Sequence, residues 1–148
     1  MAFWSAVSLV PDLDVIGFSL GVAYGDPWGH RGATHSIVFA IVLGVVIGTA
    51  ARAMTLPFLR TTIIATVVLV SHPLLDTLTD GGLGCALFWP FELTRYFAPW
   101  QPIPVAPIGI HFLSSSGLAV AATELVLFAP VFLYAAWPRM SAGKGWSR

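Results

Sequence analysis

Residues 61–80 read TTIIATVVLVSHPLLDTLTD, an apolar run that ends with one histidine and two aspartates. About 20 helical residues cross the hydrocarbon core of a bilayer, so this length predicts a spanning helix. Val, Ile and Thr favour strands in water. In lipid, however, the backbone groups must be satisfied within the segment, which favours a helix.

His72 and Asp76 are the histidine and the first aspartate of that run. Their i, i+4 spacing places both side chains on one helix face, where they could supply a nitrogen and an oxygen ligand to one divalent ion. Pro73 is expected to kink the helix. The alternative is a structural hydrogen bond, but the cost of polar groups inside a membrane favours a functional role.

The composition extends the membrane prediction to the whole chain. Hydrophobic residues make up 57% and charged residues 9% of 148 residues, against about 25% charged in soluble domains. The mean hydropathy is +0.83. Two further apolar stretches, at about 34–51 and 111–137, have spanning length. We therefore predict an all-α, multi-spanning transmembrane helical bundle, a single membrane domain over residues 1–148 with a basic tail at 138–148.

The N-terminal residues up to Tyr24 are predicted to form a short helix, a break at Pro11 and a re-entrant or interfacial segment, because several glycines weaken any longer helix there. The net charge is zero, and no run of Lys or Arg indicates nucleic-acid binding. Cys85 is the one cysteine, which excludes an internal disulfide.

The order of the three spans brings the polar motifs to one membrane face. All four histidines and six of the seven acidic residues gather there, and Glu124 lies elsewhere, within the third span. The opposite face carries most of the basic residues, including Arg52 and Arg60. Because positive residues favour the cytoplasm, the motif face is predicted to be periplasmic or extracytoplasmic.

Pro11-Asp12-Leu13-Asp14 precedes the first span. On an extended segment Asp12 and Asp14 would point the same way. Two such close carboxylates repel unless a cation or a shared proton lies between them. The alternative is a turn, which Pro-Asp sequences favour.

Residues 29–36 read GHRGATHS. Thr34 is predicted to cap the first span, whose helix start is also an anion site. Arg31 could bind a phosphate or a carboxylate. His35 is predicted to be a metal ligand or a general base, whereas His30 could equally be an interfacial residue.

These residues together predict a metal site. We expect His72, Asp76 and His35 to hold the ion with one or both of Asp12 and Asp14. Such a His/Asp set suits zinc, or manganese and magnesium where carboxylates dominate. A bound metal would make hydroxide available near neutral pH for hydrolysis. The predicted catalytic residues are Asp12, Arg31 and His35.

Four motifs in this order resemble the YdjM-like family: PDLD at 11–14, HRGATHS at 30–36, SHPLLDTLT at 71–79 and LFWPF at 87–91. The family consists of bacterial inner-membrane proteins described as metal-dependent hydrolases, with an association to LexA regulation. The resemblance implies a multi-spanning helical protein of the inner (cytoplasmic) membrane. It also implies a metal site that contains Asp12, Asp14, His35, His72 and Asp76.

One departure from that family lies at the N-terminus. Its members usually begin with a membrane helix that carries an early Thr-His pair before the Pro-Asp-x-Asp motif. Here only ten residues precede Pro11. The resemblance therefore leads us to expect that this helix, and with it one ligand, is missing.

The leading hypothesis for function is a membrane-embedded metal-dependent hydrolase. It would act on a lipid-linked ester or phosphoester at the outer leaflet, with membrane lipids as its partners. The alternative is a non-enzymatic ion-binding or transport protein that uses the same Asp/His residues. Transport would need polar groups that continue to the other membrane face, where the sequence offers only Glu124. A third hypothesis is an assembly protein without chemistry.

Overall fold

A computed structural model of the chain describes residues 2–107 and 109–136. These residues form no β-strand, so the predicted all-α class is confirmed. Short 3-10 turns cover Pro11–Val15, Ala33–His35 and Gly109–Leu113. The described α-helices are α1 (Ala2–Ser8), α2 (Ile16–Ser19), α3 (Ile37–Ala53), α4 (Phe58–Asp76) and α5 (Ser115–Ala136).

The chain divides into two compact units, residues 1–105 and 106–148. The first unit contains α1 to α4 and the long loop after α4. The boundary falls in a proline-rich segment, QPIPVAP at 101–107, whose three prolines have no backbone N–H to donate to a helix. In the second unit, His111 lies in the 3-10 turn before α5, and Glu124 lies within α5.

The start of α3 differs from the prediction. The hydroxyl of Ser36 accepts a hydrogen bond from the Phe39 amide at 3.0 Å, so Ser36 is the N-cap. Thr34, the predicted cap, instead donates its hydroxyl proton to Asp14. The helix therefore begins at Ile37, later than the predicted span.

The end of α4 also differs from the prediction. The helix ends at Asp76, with Thr77 as its C-cap. Asp80 lies beyond that end, where its carboxylate accepts a hydrogen bond from the Val105 amide at 2.8 Å. Its own amide donates to the Ile103 carbonyl. Asp80 therefore anchors the loop and does not extend the helical stripe of His72 and Asp76.

Helices α3 and α4 form a close antiparallel pair. A Cβ added at Gly44 would collide with the hydroxyl of Thr66, and one added at Gly48 would collide with that of Thr62. Small residues of this kind let membrane helices approach closely. The buried core beside this contact is small and contains Val7, Ala40 and Leu69 from α1, α3 and α4.

Among the described residues, α4 is the one helix that is both long and apolar enough to cross a membrane, with a mean hydropathy of 1.6. The apolar helices Ile37–Ala53 and Ser115–Pro130 are shorter. Much of the outer surface of α3 and α4 is nevertheless apolar and exposed. Examples are Val42, Val46, Leu59, Ile63 and Val67. Exposed apolar surface of this extent is typical of contact with a partner or a membrane.

The long loop after α4 folds back onto the segment before α3. Arg95 donates from Nη1 to the His30 carbonyl at 2.8 Å and from Nη2 to the carbonyls of Tyr24 and Asp26 at 3.1 Å. Its guanidinium also lies 5.9 Å from the centroid of the Tyr24 ring. These bonds fix the position of residues 24–31, which carry His30 and Arg31.

Candidate metal centre

Four ionisable side chains from three segments converge in the first unit. Asp12 comes from the first 3-10 turn, His35 from the turn before α3, and His72 and Asp76 from the end of α4. One ligand atom of each lies within 4.8 Å of the others. We call these four residues the Asp/His cluster. His72 and Asp76, the i, i+4 pair of the sequence analysis, therefore lie close to a residue of each upstream motif, PDLD at 11–14 and GHRGATHS at 29–36.

Two imidazole nitrogens of the cluster are buried and have no hydrogen-bond partner among the described residues: Nε2 of His35 and Nε2 of His72. His35 is fully buried. Its Nε2 lies 3.5 Å from Asp12 Oδ1 and 3.3 Å from Asp76 Oδ2. For His72 Nε2 the corresponding distances are 3.2 and 3.7 Å.

Both nitrogens lie within ion-pair distance of the two carboxylates, but neither makes a hydrogen bond to them. An unpaired buried nitrogen is costly, and a cation shared by all four groups would remove that cost. Two imidazole nitrogens with two carboxylate oxygens form a donor set that zinc accepts. The residues present therefore suit a divalent metal ion.

The charges in the cluster favour ionised carboxylates. Burial alone would raise the pKa of Asp12, but polar contacts with His35 and His72 outweigh it and hold this pKa well below its ordinary value. Burial alone would lower the pKa of His35. The nearby Asp12, Asp14 and Asp76 outweigh that effect and raise it to about 10. Near neutral pH the imidazole therefore holds a proton that a metal ion at Nε2 would displace. An ionised Asp12 is the form that binds a cation.

The side chains of Asp12 and Asp14 point in different directions. The reason is that Pro11–Val15 is a 3-10 turn and not the extended segment that the sequence predicted. The side chain of Asp12 is 40% exposed and that of Asp14 only 1%. Asp14 Oδ1 lies 2.7 Å from His30 Nδ1, and Oδ2 lies 3.2 Å from His35 Nδ1. Asp14, His30 and His35 form a second group of possible ligands next to the cluster.

Arg31 also reaches the cluster, from a left-handed backbone conformation with φ of 62°. Its Nε lies 3.3 Å from Asp76 Oδ2. Its Nη1 donates to Thr79 Oγ1 at 2.9 Å and to the Gly81 carbonyl at 3.0 Å. The residue is 5% exposed. These two nitrogens are thus directed at groups of the protein itself, and one of those groups is a carboxylate.

Sequence reasoning missed the residues that hold Arg31 and His30 in place. Thr79 and Gly81 had no local pattern that pointed to an arginine partner. The loop arginine Arg95 belongs to none of the four motifs, although it donates to the backbone of His30. The glycines of GGLG at 81–84 indicated a turn there, and Gly82 has a φ of 81°.

Fold and site together define an all-helical protein with a membrane-spanning candidate helix and an Asp/His group that could hold a metal ion. The chain belongs to the YdjM inner membrane protein family, whose model matches residues 1–144. Over 124 residues it is 44% identical to the inner membrane protein YbcI of Escherichia coli (strain K12). The aligned region covers 81% of this chain and 70% of YbcI. No solved structure matches it. The resemblance drawn from the four motifs is confirmed, and the chain is an inner membrane protein.

Proposed function

We propose that this protein is a metal-dependent hydrolase whose reaction takes place at the Asp/His cluster. The observation that carries the proposal is the pair of buried, unpartnered Nε2 atoms on His35 and His72, which face two carboxylates. A purely structural cluster would pair these nitrogens with hydrogen-bond acceptors. Family membership supports a membrane location but says nothing of the reaction.

Asp12, His35, His72 and Asp76 would hold the ion, with zinc favoured by the imidazoles and manganese or magnesium as alternatives. When bound, such an ion polarises an ester oxygen and lowers the pKa of water towards neutrality. Asp12 is the most exposed cluster carboxylate, and its Oδ1 lies against the histidines. We therefore assign Oδ2 of Asp12 as the general base that accepts a proton from water.

The surroundings of Asp12 support a lipid-linked ester or phosphoester as the substrate. The cluster is open at Asp12, since His35 is buried and His72 is nearly so. On the same segment Leu9, Leu13 and Ile16 are each 58% exposed. An amphiphile could place its polar ester at Asp12 and its acyl chain against these side chains, whose contact with it removes apolar surface from water.

We also propose that the chain crosses the membrane more than once. Helices α3 and α4 have 17 and 19 residues, within the roughly 17–25 residues that span a bilayer. The 22 residues of α5 would provide a third span. Arg52 and Arg60 lie at the α3–α4 turn, on the side opposite the cluster. By the positive-inside rule the cluster would then face the periplasm.

The test is the metal content of the purified full-length protein in detergent, with hydrolysis measured on bis-p-nitrophenyl phosphate and on a p-nitrophenyl acyl ester. We expect about one zinc or manganese ion per chain and metal-dependent hydrolysis. His72→Ala and Asp76→Ala should lose both. Asp80→Asn is the matched control, because Asp80 lies outside the cluster and Asn keeps an acceptor for the Val105 amide.

Equal, negligible metal in the wild type and in both variants would refute the proposal. Bound metal without hydrolysis of either substrate would contradict the enzymatic part and favour an ion-binding protein.

A further inference from the structure

We infer that Asp14 is a positioning residue for the metal centre and not a ligand: it holds His35 in the orientation and tautomer that direct Nε2 at the ion. The inference rests on the proposed metal site. It separates two aspartates that the sequence motif presents as equivalent, and it limits the centre to a single ion.

The acceptor capacity of Asp14 is already in use. An ionised carboxylate accepts about four hydrogen bonds and donates none. Oδ1 lies 2.7 Å from His30 Nδ1, while Oδ2 accepts from the Thr34 hydroxyl at 2.7 Å and the Arg31 amide at 3.2 Å. His35 Nδ1 lies 3.2 Å from the same Oδ2. A metal at Asp14 would displace these buried partners.

These partners enclose the carboxylate of Asp14, whose side chain is 1% exposed. An ion could reach its oxygens only by taking the place of a protein group.

Thr34 settles which nitrogen of His35 carries the proton. The Thr34 hydroxyl gives its proton to Asp14, so its oxygen can only accept from His35 Nδ1, 3.1 Å away. Both oxygens near Nδ1 are then acceptors, and Nδ1 must carry the hydrogen. In the neutral imidazole, which is the form that binds a metal, the lone pair is then on Nε2, which faces the cluster. Metal-binding histidines commonly donate their other ring N–H to such a partner.

The same contacts disfavour a second ion in the group formed by Asp14, His30 and His35. A metal there would need lone pairs on the ring nitrogens that approach Asp14. Both of those nitrogens are Nδ1 atoms that face the acceptor-only carboxylate, so both carry protons. The three residues therefore form a hydrogen-bonded group beside the metal centre that holds His35 in place.

The test is a Co²⁺ titration of the full-length protein in detergent, read by its visible absorption, which depends on the ligands, and by the number of ions bound per chain. We expect Asp14→Asn to bind the same number of ions as the wild type with the same spectrum. Its Kd should rise about 10- to 100-fold, as for other residues that orient a ligand. Asp12→Asn, which alters a ligand, should change the spectrum.

Two variants complete the test. Thr34→Val keeps the shape of the side chain but removes the hydroxyl, and it should raise the Kd by less than Asp14→Asn while the spectrum stays constant. Asp26→Asn is the matched control, because this loop aspartate accepts from the Ala23 amide and takes no part in the cluster. Its Kd should equal that of the wild type.

Loss of a second ion in Asp14→Asn, a spectrum changed as in Asp12→Asn, or an unchanged Kd would each overturn this inference and leave the proposed function standing. A wild type that binds no Co²⁺ would overturn both. If Asp14→Asn does not fold, Thr34→Val decides the matter, and an unchanged Kd in that variant overturns the inference.

Discussion

The Nε atom of Arg31 lies 3.3 Å from Oδ2 of Asp76, so a guanidinium that is 6% exposed neighbours a carboxylate of the Asp/His cluster. The same side chain bonds the loop just after α4 through Thr79 and Gly81. Arg31 therefore fixes the end of α4 from outside the helix. In this position its positive charge offsets one negative charge of the cluster.

Replacing Arg31 with lysine is expected to weaken both the fold and the metal site. A lysine ammonium is a single point and cannot face Asp76 while it also bonds Thr79 and Gly81. We expect a loss of about 1–3 kcal/mol in the free energy of unfolding, since buried acceptors lose their donors. Thermal unfolding in detergent and a Co²⁺ titration of the same samples would measure the two effects.

Arg60→Lys serves as the control, because Arg60 is exposed near the start of α4. It should match the wild type in both measurements. An Arg31→Lys protein that is equally stable would show that the bonds from Nη1 are unimportant.

A second prediction concerns the contact between α3 and α4. Alanine normally favours a helix over glycine by about 1 kcal/mol. At Gly44 we expect the opposite, because the added Cβ would collide with the Thr66 hydroxyl and lie 3.1 Å from the Thr66 amide nitrogen. Overpacking of this kind costs about 1–3 kcal/mol. The melting temperature of Gly44→Ala in detergent should therefore fall.

Two comparisons make this prediction specific. Gly25→Ala should change little, because the nearest heavy atom to its added Cβ is Leu83 Cδ1 at 3.8 Å. Combining Gly44→Ala with Thr66→Ala should restore part of the lost stability, since the colliding hydroxyl is removed. A Gly44→Ala protein as stable as the wild type would mean that the helices separate at no cost.

The sequence predicted those parts of the molecule that depend on local pattern. The length of the apolar run predicted helix α4, and the i, i+4 spacing predicted that His72 and Asp76 share one helix face. Local pattern could not distinguish Ser36 from Thr34 as the cap of α3. That choice depends on Asp14, which draws the Thr34 hydroxyl away from the helix.

The long loop could not be predicted, because distant contacts hold it. Its backbone pairs Cys85 with Tyr96 and Thr79 with Ile103, and neither pair follows from periodicity. The prediction that the side chains of Asp12 and Asp14 point the same way was wrong for a related reason. A two-residue spacing places side chains together on a strand but apart on a 3-10 turn, and the sequence alone did not select the turn.

A third prediction concerns Arg95, which holds the segment of His30 and Arg31 in place. Arg95→Met keeps much of the side-chain length but leaves the carbonyls of Tyr24, Asp26 and His30 without this donor. Local openings of residues 24–31 should become more frequent, with amide hydrogen exchange there at least about tenfold faster. Arg52→Met, at an exposed position on α3, should leave that exchange unchanged. Equal exchange in both variants would contradict the role of Arg95.

The last prediction tests on which side of the membrane the cluster lies. Cys85 is buried, and its replacement by alanine gives a background without cysteine. Phe91 is 86% exposed on the loop of the cluster side, and Leu56 is 52% exposed in the α3–α4 turn. In bacteria with a permeable outer membrane, a membrane-impermeant maleimide should label Phe91→Cys in intact cells and Leu56→Cys only after the inner membrane is opened. This outcome is expected because Arg52 and Arg60 hold the turn on the cytoplasmic side. The reverse labelling would place the cluster in the cytoplasm, and labelling of both cysteines in intact cells would contradict a membrane crossing between them.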